Sequence, residues 1–268
     1  MKKVSIVVPT YNQAAYLPTC LDSIWFQEYP DVEIVVVNDG SPDDTAKVLD
    51  AYARGIAEDT ASYAADFDEQ SGEVRRVWHA RYPAAGRSLV CLAHDPNQGL
   101  SAALNTGFKA ATGEYCTFIA SDDMLLPGMV EGLVAALEAH DADFAYADMH
   151  VVDDTGRILR RFSLPDYTFE AAFCHWYLCG VCKLYRRELH ERHGYFHLDY
   201  TAQDHEMYLR FAMGGARFVH VPKVLAHVRI HDRERNKDNH SEQNVSRLFR
   251  ESQELVRRAR AHAGMSRV

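Results

Sequence analysis

An alternation constrains this chain more than any other feature. Short β-branched runs take turns with segments whose apolar residues recur every three or four positions. Val4-Ser5-Ile6-Val7-Val8 reads as a buried strand closed by Pro9, and Glu33–Asn38 as a second. Leu89–Ala93, Tyr115–Ile119 and Asp143–Met149 read as the third, fourth and fifth. Between them, Leu17, Leu21 and Ile24 share one helical face. A helix starting at Ser41 or Asp43 runs to about Ala53, and Leu100–Ala111 and Gly128–His140 read as two more. Val/Ile-rich strands joined by helices need cover on both faces. The expected fold class is therefore α/β, with a mainly parallel central sheet flanked by helices. Ligands of such sheets lie beyond the carboxyl ends of the strands, near a reversal of strand order.

The rest of the chain is less regular. Val151–Phe162 reads as a hairpin turning at Asp153–Gly156. Arg186–His193 and Gln203–Met213 read as helices, Arg217–Val221 and Val224–Ile230 as strands, and Ser241–His262 as a final amphipathic helix. From Ser241 onward there are six Arg against three Glu. That basic face is either solvated or a peripheral contact with an anionic membrane surface. Arg54–Ser88 is too long for a plain helix-to-strand connection. It reads as an insertion, residues 54–88, that extends the helix and loops back.

Composition removes several classes. Hydrophobic residues at 47% and charged residues at 25% exclude disordered and fibrous chains. A net charge of −9, from 29 basic and 38 acidic residues, argues against nucleic acid as a partner, since neutralising phosphates needs a basic face. Apolar runs such as Val4–Val8 and Ile34–Val37 are far shorter than the roughly 18–20 residues of a bilayer span. Pro9-Thr10-Tyr11-Asn12 ends the first apolar run too early for a signal peptide. The expected location is cytoplasmic, and the six scattered cysteines imply no disulfide framework.

Familiar cofactor and nucleophile motifs are missing. No strand is followed by G-x-G-x-x-G, and neither a G-x-x-x-x-G-K-S/T loop nor a G-x-S-x-G elbow occurs. What occurs instead is acid at strand ends: Asp39 after the second strand, and Asp122-Asp123 after the fourth. Adjacent carboxylates at the mouth of a sheet raise each other's pKa unless a cation sits there. Mg2+ or Mn2+ suits such a pair, with phosphate and water completing its shell. Taken alone, the pair also reads as a helix-start turn.

Five linked blocks carry a resemblance. They are Val4–Asn12, Glu33–Ser41 with Asn38-Asp39-Gly40-Ser41, Asn97–Gly107, Ala111–Tyr115 and Ser121-Asp122-Asp123. In this order and approximate spacing the chain resembles the family 2 nucleotide-sugar-dependent glycosyltransferases of GT-A fold. The likeness is close over 4–149 and looser to about 232. It implies a single GT-A domain over 1–232, with a nucleotide-sugar-binding half (1–124) and an acceptor half (125–232), then the helix within 233–268. It implies that Pro9, Thr10, Tyr11, Asp39, Asn97 and Asp122 bind the nucleotide, with Tyr11 suited to stack on the base and Asp39 to accept from a uracil or thymine N–H. It implies a metal held by Asp123, Asp122 and His231, with Arg229 offsetting diphosphate charge. Ala120 stands where the commoner motif has an acid.

Thr201–Glu206 resembles the acidic motif that precedes a helix in the family, and Asp204 takes the place of the catalytic base. Its position equally suits a helix N-cap, and Glu206 is the fallback base. The implied reaction is inverting transfer of a sugar from a UDP- or dTDP-sugar to a saccharide or other hydroxyl acceptor, assisted by Mn2+ or Mg2+. Two alternatives stand beside it: a catalytically inactive, nucleotide-binding member acting through a partner, and a nucleotidyltransferase, which would normally show a basic, Gly-rich loop after the first strand. Cys179-Gly180-Val181-Cys182 matches a zinc or redox spacing, but without a second pair it reads as buried thiols on the acceptor side.

Overall fold

The computed structural model describes residues 2–58, 61–68, 73–80, 82–175, 177, 179–231 and 242–265. Strand β1 (Val4–Thr10) and strand β2 (Val32–Asn38) are buried along their whole lengths. They pair in parallel, with Thr10 opposite Asn38, so their carboxyl ends finish level. Helix α1 (Leu17–Trp25) crosses between them and buries Leu17, Cys20, Leu21, Ile24 and Trp25, with Pro18 in its first turn, where a missing N–H costs nothing. Helix α2 (Thr45–Ala57) starts later than the sequence suggests. Asp43 Oδ1 accepts from the Thr45 amide at 3.0 Å and thereby opens it.

The insertion is not a looped-back helix. It holds a hairpin of strands β3 (Ala61–Asp68) and β4 (Glu73–Ala80), which pair antiparallel in a two-stranded sheet of their own. Strand β5 (Arg87–Ala93) then rejoins the main sheet parallel to β2. Helix α3 (Leu100–Ala110) follows and lies close to the sheet. A Cβ on its Gly107 would stand 2.3 Å from Val7 Cγ1, so only glycine allows that approach. Strand β6 (Tyr115–Phe118) pairs parallel to the other side of β1. Strand order therefore reverses at β1, which has β2 on one flank and β6 on the other, the arrangement that opens a crevice at the carboxyl edge.

Beyond β6 the sheet is mixed rather than mainly parallel. Strand β7 (Met124–Leu125) and helix α4 (Met129–Ala139) lead to strand β8 (Phe144–Val152). Strand β8 absorbs both the expected fifth strand and the first arm of the expected hairpin, and strand β9 (Ile158–Phe162) is the second arm. After a one-turn π-helix (Glu170–Cys174) comes strand β10 (Lys183–Arg186), which sequence reading missed. It has four residues with a cation at each end, so no apolar alternation marks it. It inserts antiparallel between β6 and β8 and joins the two halves into one sheet.

Helices α5 (Glu188–His193) and α6 (Gln203–Met213) precede strand β11 (Phe218–Arg229). The two late strands expected from sequence are this single strand, kinked by register shifts on either side of Val224. The kink follows Pro222, which cannot donate to a ladder. Helix α7 (Glu242–His262) packs on the π-helix and α6, burying Ser252, Leu255 and Ala259. Ser241 and the 232/233 boundary lie outside the described residues.

Candidate active site

Three loops leave the sheet at its carboxyl edge. The loop after β1 carries Tyr11, which is 49% exposed, so its ring is open to a planar ligand. Pro9 lies within β1 and Thr10 ends it; both are buried, and the Thr10 hydroxyl has no protein partner. This loop is tied to the one after β2. Asp39 donates its amide to the Thr10 carbonyl at 2.9 Å, and Asn12 donates its amide to Ser41 Oγ at 3.1 Å.

The Asp39 carboxylate is 3% exposed and already engaged. Oδ1 meets His94 Nδ1 at 2.7 Å and accepts from the Gln98 amide at 2.9 Å; Oδ2 accepts from the Gly99 amide at 2.8 Å. His94 Nε2 reaches Thr106 Oγ1 at 2.9 Å, and Asn97 donates to the Asp39 carbonyl at 2.8 Å. Asp39 and Asn97 therefore shape the loop that opens α3. Gly40 belongs to the same clamp: its φ is +68°, and a Cβ there would stand 2.7 Å from the Asn97 amide nitrogen. His94 was not singled out from sequence, and no motif marked it.

The third loop carries Asp122 and Asp123. Asp123 is 5% exposed and accepts from the Arg229 amide at 2.8 Å. Burial, then the neighbouring Asp122, push its carboxyl up to about 7. Asp122 meets His231 Nε2 at 2.6 Å, and His231 Nδ1 meets Asp154 at 2.6 Å. Burial opposes the imidazolium, but hydrogen bonds to these two carboxylates outweigh it and raise the His231 pKa. Arg229 stays at the site. It donates to the carbonyls of Asp122, Asp153 and Asp154, and its guanidinium lies 4.9 Å from the Tyr16 ring. Asp154 and Tyr16, whose hydroxyl donates to Asp154 at 3.1 Å, are site residues missed from sequence.

The carboxylate pair fits a hard divalent cation. Two adjacent oxygen donors with unrelieved repulsion are what such an ion stabilises. Among the described residues no group of three or more His, Cys, Asp or Glu side chains is arranged to hold a metal alone, so diphosphate and water oxygens would complete the shell. To ligate the ion, His231 would exchange one of its carboxylates for it.

Asp204 stands at the second position of α6. Ala202 is the N-cap residue, so Asp204 is no cap. Its Oδ2 lies 3.5 Å from Lys183 Nζ, and its Oδ1 is buried without a partner. Burial raises its pKa, and the Lys183 ammonium pulls it back. Asp204 lines a cavity of about 230 Å3 with Tyr177, Thr201, Gln203, His205 and, from α7, Ser252. His205 has both ring nitrogens unpartnered and is kept neutral by burial, its pKa pushed down to about 4. A second hollow shares Thr201 and Gln203 with this cavity and reaches Gln98 and Gly99, the residues bound by Asp39. That continuity joins the Asp204 side to the nucleotide-side loops.

Two sequence readings change. Glu206, the fallback base, is 2% exposed and spent on a two-point pair with Arg210, at 3.0 and 2.8 Å. Cys179 and Cys182 are buried free thiols, and burial pushes Cys182 up to about 12, so neither is a thiolate suited to zinc or redox work.

Comparison with known proteins gives a consistent result. The family described as Glycosyl transferase family 2 matches residues 5–63 and 78–194, and the gap falls within the β3–β4 hairpin region. The uncharacterized glycosyltransferase EpsJ of Bacillus subtilis (strain 168) is 29% identical over 202 residues, 70% of this chain and 49% of EpsJ. A PGL/p-HBAD biosynthesis glycosyltransferase of Mycobacterium tuberculosis (strain ATCC 25177 / H37Ra) is 30% identical over 198 residues, 73% of this chain and 64% of that protein. The chain thus spans about half to two thirds of these two relatives. Among solved structures, S. aureus TarS 1-349 in complex with UDP-GlcNAc superposes with a TM-score of 0.68 at 21% identity, covering 93% of this chain and 65% of that one. Mannosyltransferase PcManGT from Pyrobaculum calidifontis, in complex with GDP-Man and Mn2+, gives 0.64 at 22% identity, covering 94% and 64%. At such identities these structures speak for the fold alone.

Proposed function

This chain belongs to glycosyl transferase family 2, and we propose that it moves a sugar from a UDP- or dTDP-sugar to a hydroxyl acceptor, with inversion at the anomeric carbon, in polysaccharide or glycoconjugate synthesis. The observation that carries this reading is Asp204: a carboxylate with one unpartnered oxygen, lining a cavity that continues toward the nucleotide-side loops. An acceptor hydroxyl in that cavity can pass its proton to Asp204 as its oxygen attacks the sugar carbon. Tyr11, Thr10 and Pro9 with Asp39, Asn97 and Asp122 would frame the nucleotide.

Asp123 and Asp122 would hold Mn2+ or Mg2+, which when bound offsets the charge growing on the leaving diphosphate. Arg229 adds a fixed cation beside them. The nucleotide-sugar complexes of the structural neighbours support the donor class, and the Mn2+ complex supports the ion. An unpartnered, polarised Asp204 favours an active member over an inactive one.

No helix among the described residues is long and apolar enough to cross a membrane. Six free cysteines fit a reducing compartment, which supports a cytoplasmic location. Helix α7, with Arg247 beside the exposed Leu248 and Phe249, would supply any peripheral membrane contact.

The test is a thermal-shift panel of nucleotide diphosphates and nucleotide sugars, with and without Mn2+, followed by transfer assays on the donor it selects. A uridine or thymidine diphosphate should raise the melting temperature more with Mn2+ than without. An Asp123→Ala variant should lose the metal-dependent part and turnover with it. Equal shifts for all bases, or full turnover by Asp123→Ala, would overturn the reading.

A further inference from the structure

Lys183, at the start of β10, is fully buried, and an ammonium without water has to be held by something. Its Nζ donates to the Val181 carbonyl at 3.2 Å and lies 3.5 Å from Asp204 Oδ2. It also stands 4.0 Å from the centroid of the Phe118 ring and 5.4 Å from that of Tyr208. Phe118 ends β6, the strand that leads into Asp122-Asp123, and the Lys183 charge acts on Asp123 as well as on Asp204. The ammonium is thus shared by the two carboxylates that the reaction needs, although 79 residues part Lys183 from Phe118 along the polymer neighbourhood of the metal loop only through the fold.

We propose that Lys183 is a positioning residue for sugar transfer: clamped by the Val181 carbonyl and the Phe118 and Tyr208 rings, its ammonium fixes Asp204 as a carboxylate at the start of α6 and leaves Oδ1 open to the acceptor proton. The inference rests on the reading of Asp204 as the base. In the step concerned, the acceptor oxygen bonds to the anomeric carbon. The bond from that carbon to the diphosphate oxygen breaks, its electron pair leaves on the diphosphate, and the acceptor proton goes to Asp204. Lys183 touches none of the reacting atoms.

The other groups facing Asp204 cannot replace it. Tyr177, Tyr185 of β10 and Tyr208 of α6 are buried phenols whose ionisation is pushed well up, first by burial and further by Asp204 itself, so they stay neutral. His205, next along α6, is neutral too. Lys183 is the cation whose charge and hydrogen bond act on this carboxylate.

The experiment is a carboxyl 13C NMR titration of the full chain labelled at aspartate, with the Asp204 signal identified by its loss in Asp204→Asn. Wild type, Lys183→Met and Lys183→Arg are compared. We expect Asp204 to be ionised at pH 7 in the wild type. Its midpoint should rise by about 1–3 pH units in Lys183→Met, the span of an opposite charge removed from within a few ångströms, and return most of the way in Lys183→Arg. The acid limb of the transfer rate, on the donor selected by the panel, should move in step.

An Asp204 midpoint unmoved in folded Lys183→Met overturns the inference, as does activity lost with no shift of the acid limb. If Lys183→Met fails to fold, the wild type alone decides: an Asp204 that is protonated at pH 7 overturns it. Failure of the underlying reading looks different. Asp204→Asn would then transfer sugar at the wild-type rate, whatever Lys183 does.

Discussion

Asp204 and Glu206 stand two positions apart on α6, and their surroundings give them different work. Glu206 is closed in a two-point pair with Arg210, whereas Asp204 keeps an unpartnered oxygen beside a cavity. Asp204→Asn should therefore cut transfer by about 10²–10⁴-fold, the usual weight of a general base, while the nucleotide thermal shift stays in place. Glu206→Gln should do the reverse, lowering stability by about 1–3 kcal/mol with the catalytic groups intact. Paired melting curves and rates separate the two. From sequence alone both were acids at a helix start; only their partners, placed by the fold, tell them apart. Glu33 offers a pH test. Burial works against its charge, but hydrogen bonds from Ser5 and from the amide and hydroxyl of Thr112 hold its carboxyl below the usual range. With a depressed folded pKa, its contribution is complete above the unfolded value of about 4.3 and fades as pH falls through the folded one. Glu33→Gln should cost about 1–3 kcal/mol at pH 7 and progressively less below pH 4, read by urea unfolding at several pH values.

At the scale of elements, α7 does more than cover apolar surface. Glu251 accepts from the amides of Thr201 and Ala202, at 2.7 and 2.8 Å, and so anchors the turn that launches α6 and Asp204. That turn has no side-chain cap of its own. Glu251→Ala should destabilise the chain by about 1–2 kcal/mol, as cap losses do, and lower the transfer rate without moving the nucleotide thermal shift. An unchanged rate would detach α7 from catalysis. The amphipathic pattern of α7 was legible in the sequence. Its docking partner was not, since Thr201 and Glu251 are 50 residues apart. The β3–β4 hairpin forms its own sheet, and the contacts that seat the following strand lie outside it. Trp25 donates to the Pro83 carbonyl, Tyr82 packs on Trp25, Phe26 and Tyr52, and Arg87 binds the carbonyls of Trp25 and Gln27. Replacing 60–80 with a short Gly-Ser link should leave one cooperative melt and the nucleotide shift unchanged. A lost shift would give the hairpin a part in donor binding.

Over the whole molecule, the crevice is where two halves of one sheet meet, and ligand and ion should stabilise them together. Diphosphate at about 100 times its Kd should add about 2.7 kcal/mol, and EDTA should remove the part that depends on Mn2+. An EDTA-insensitive shift would exclude a resident cation. By itself, the sequence determined the strand–helix alternation, the buried parallel strands, the acids at strand ends and the family blocks. All of these are local: a side chain's apolarity, a turn residue's conformational freedom and a motif's spacing act within a few neighbours. The tertiary structure alone decided that β10 threads between β6 and β8, that Asp39 is held by His94 and the Gln98–Gly99 amides, that His231 joins Asp122 to Asp154, and that Lys183 faces Asp204. Each of these is a pairing across a long stretch of chain, fixed by which strand lies beside which. That choice is made by collective packing, and no single segment records it.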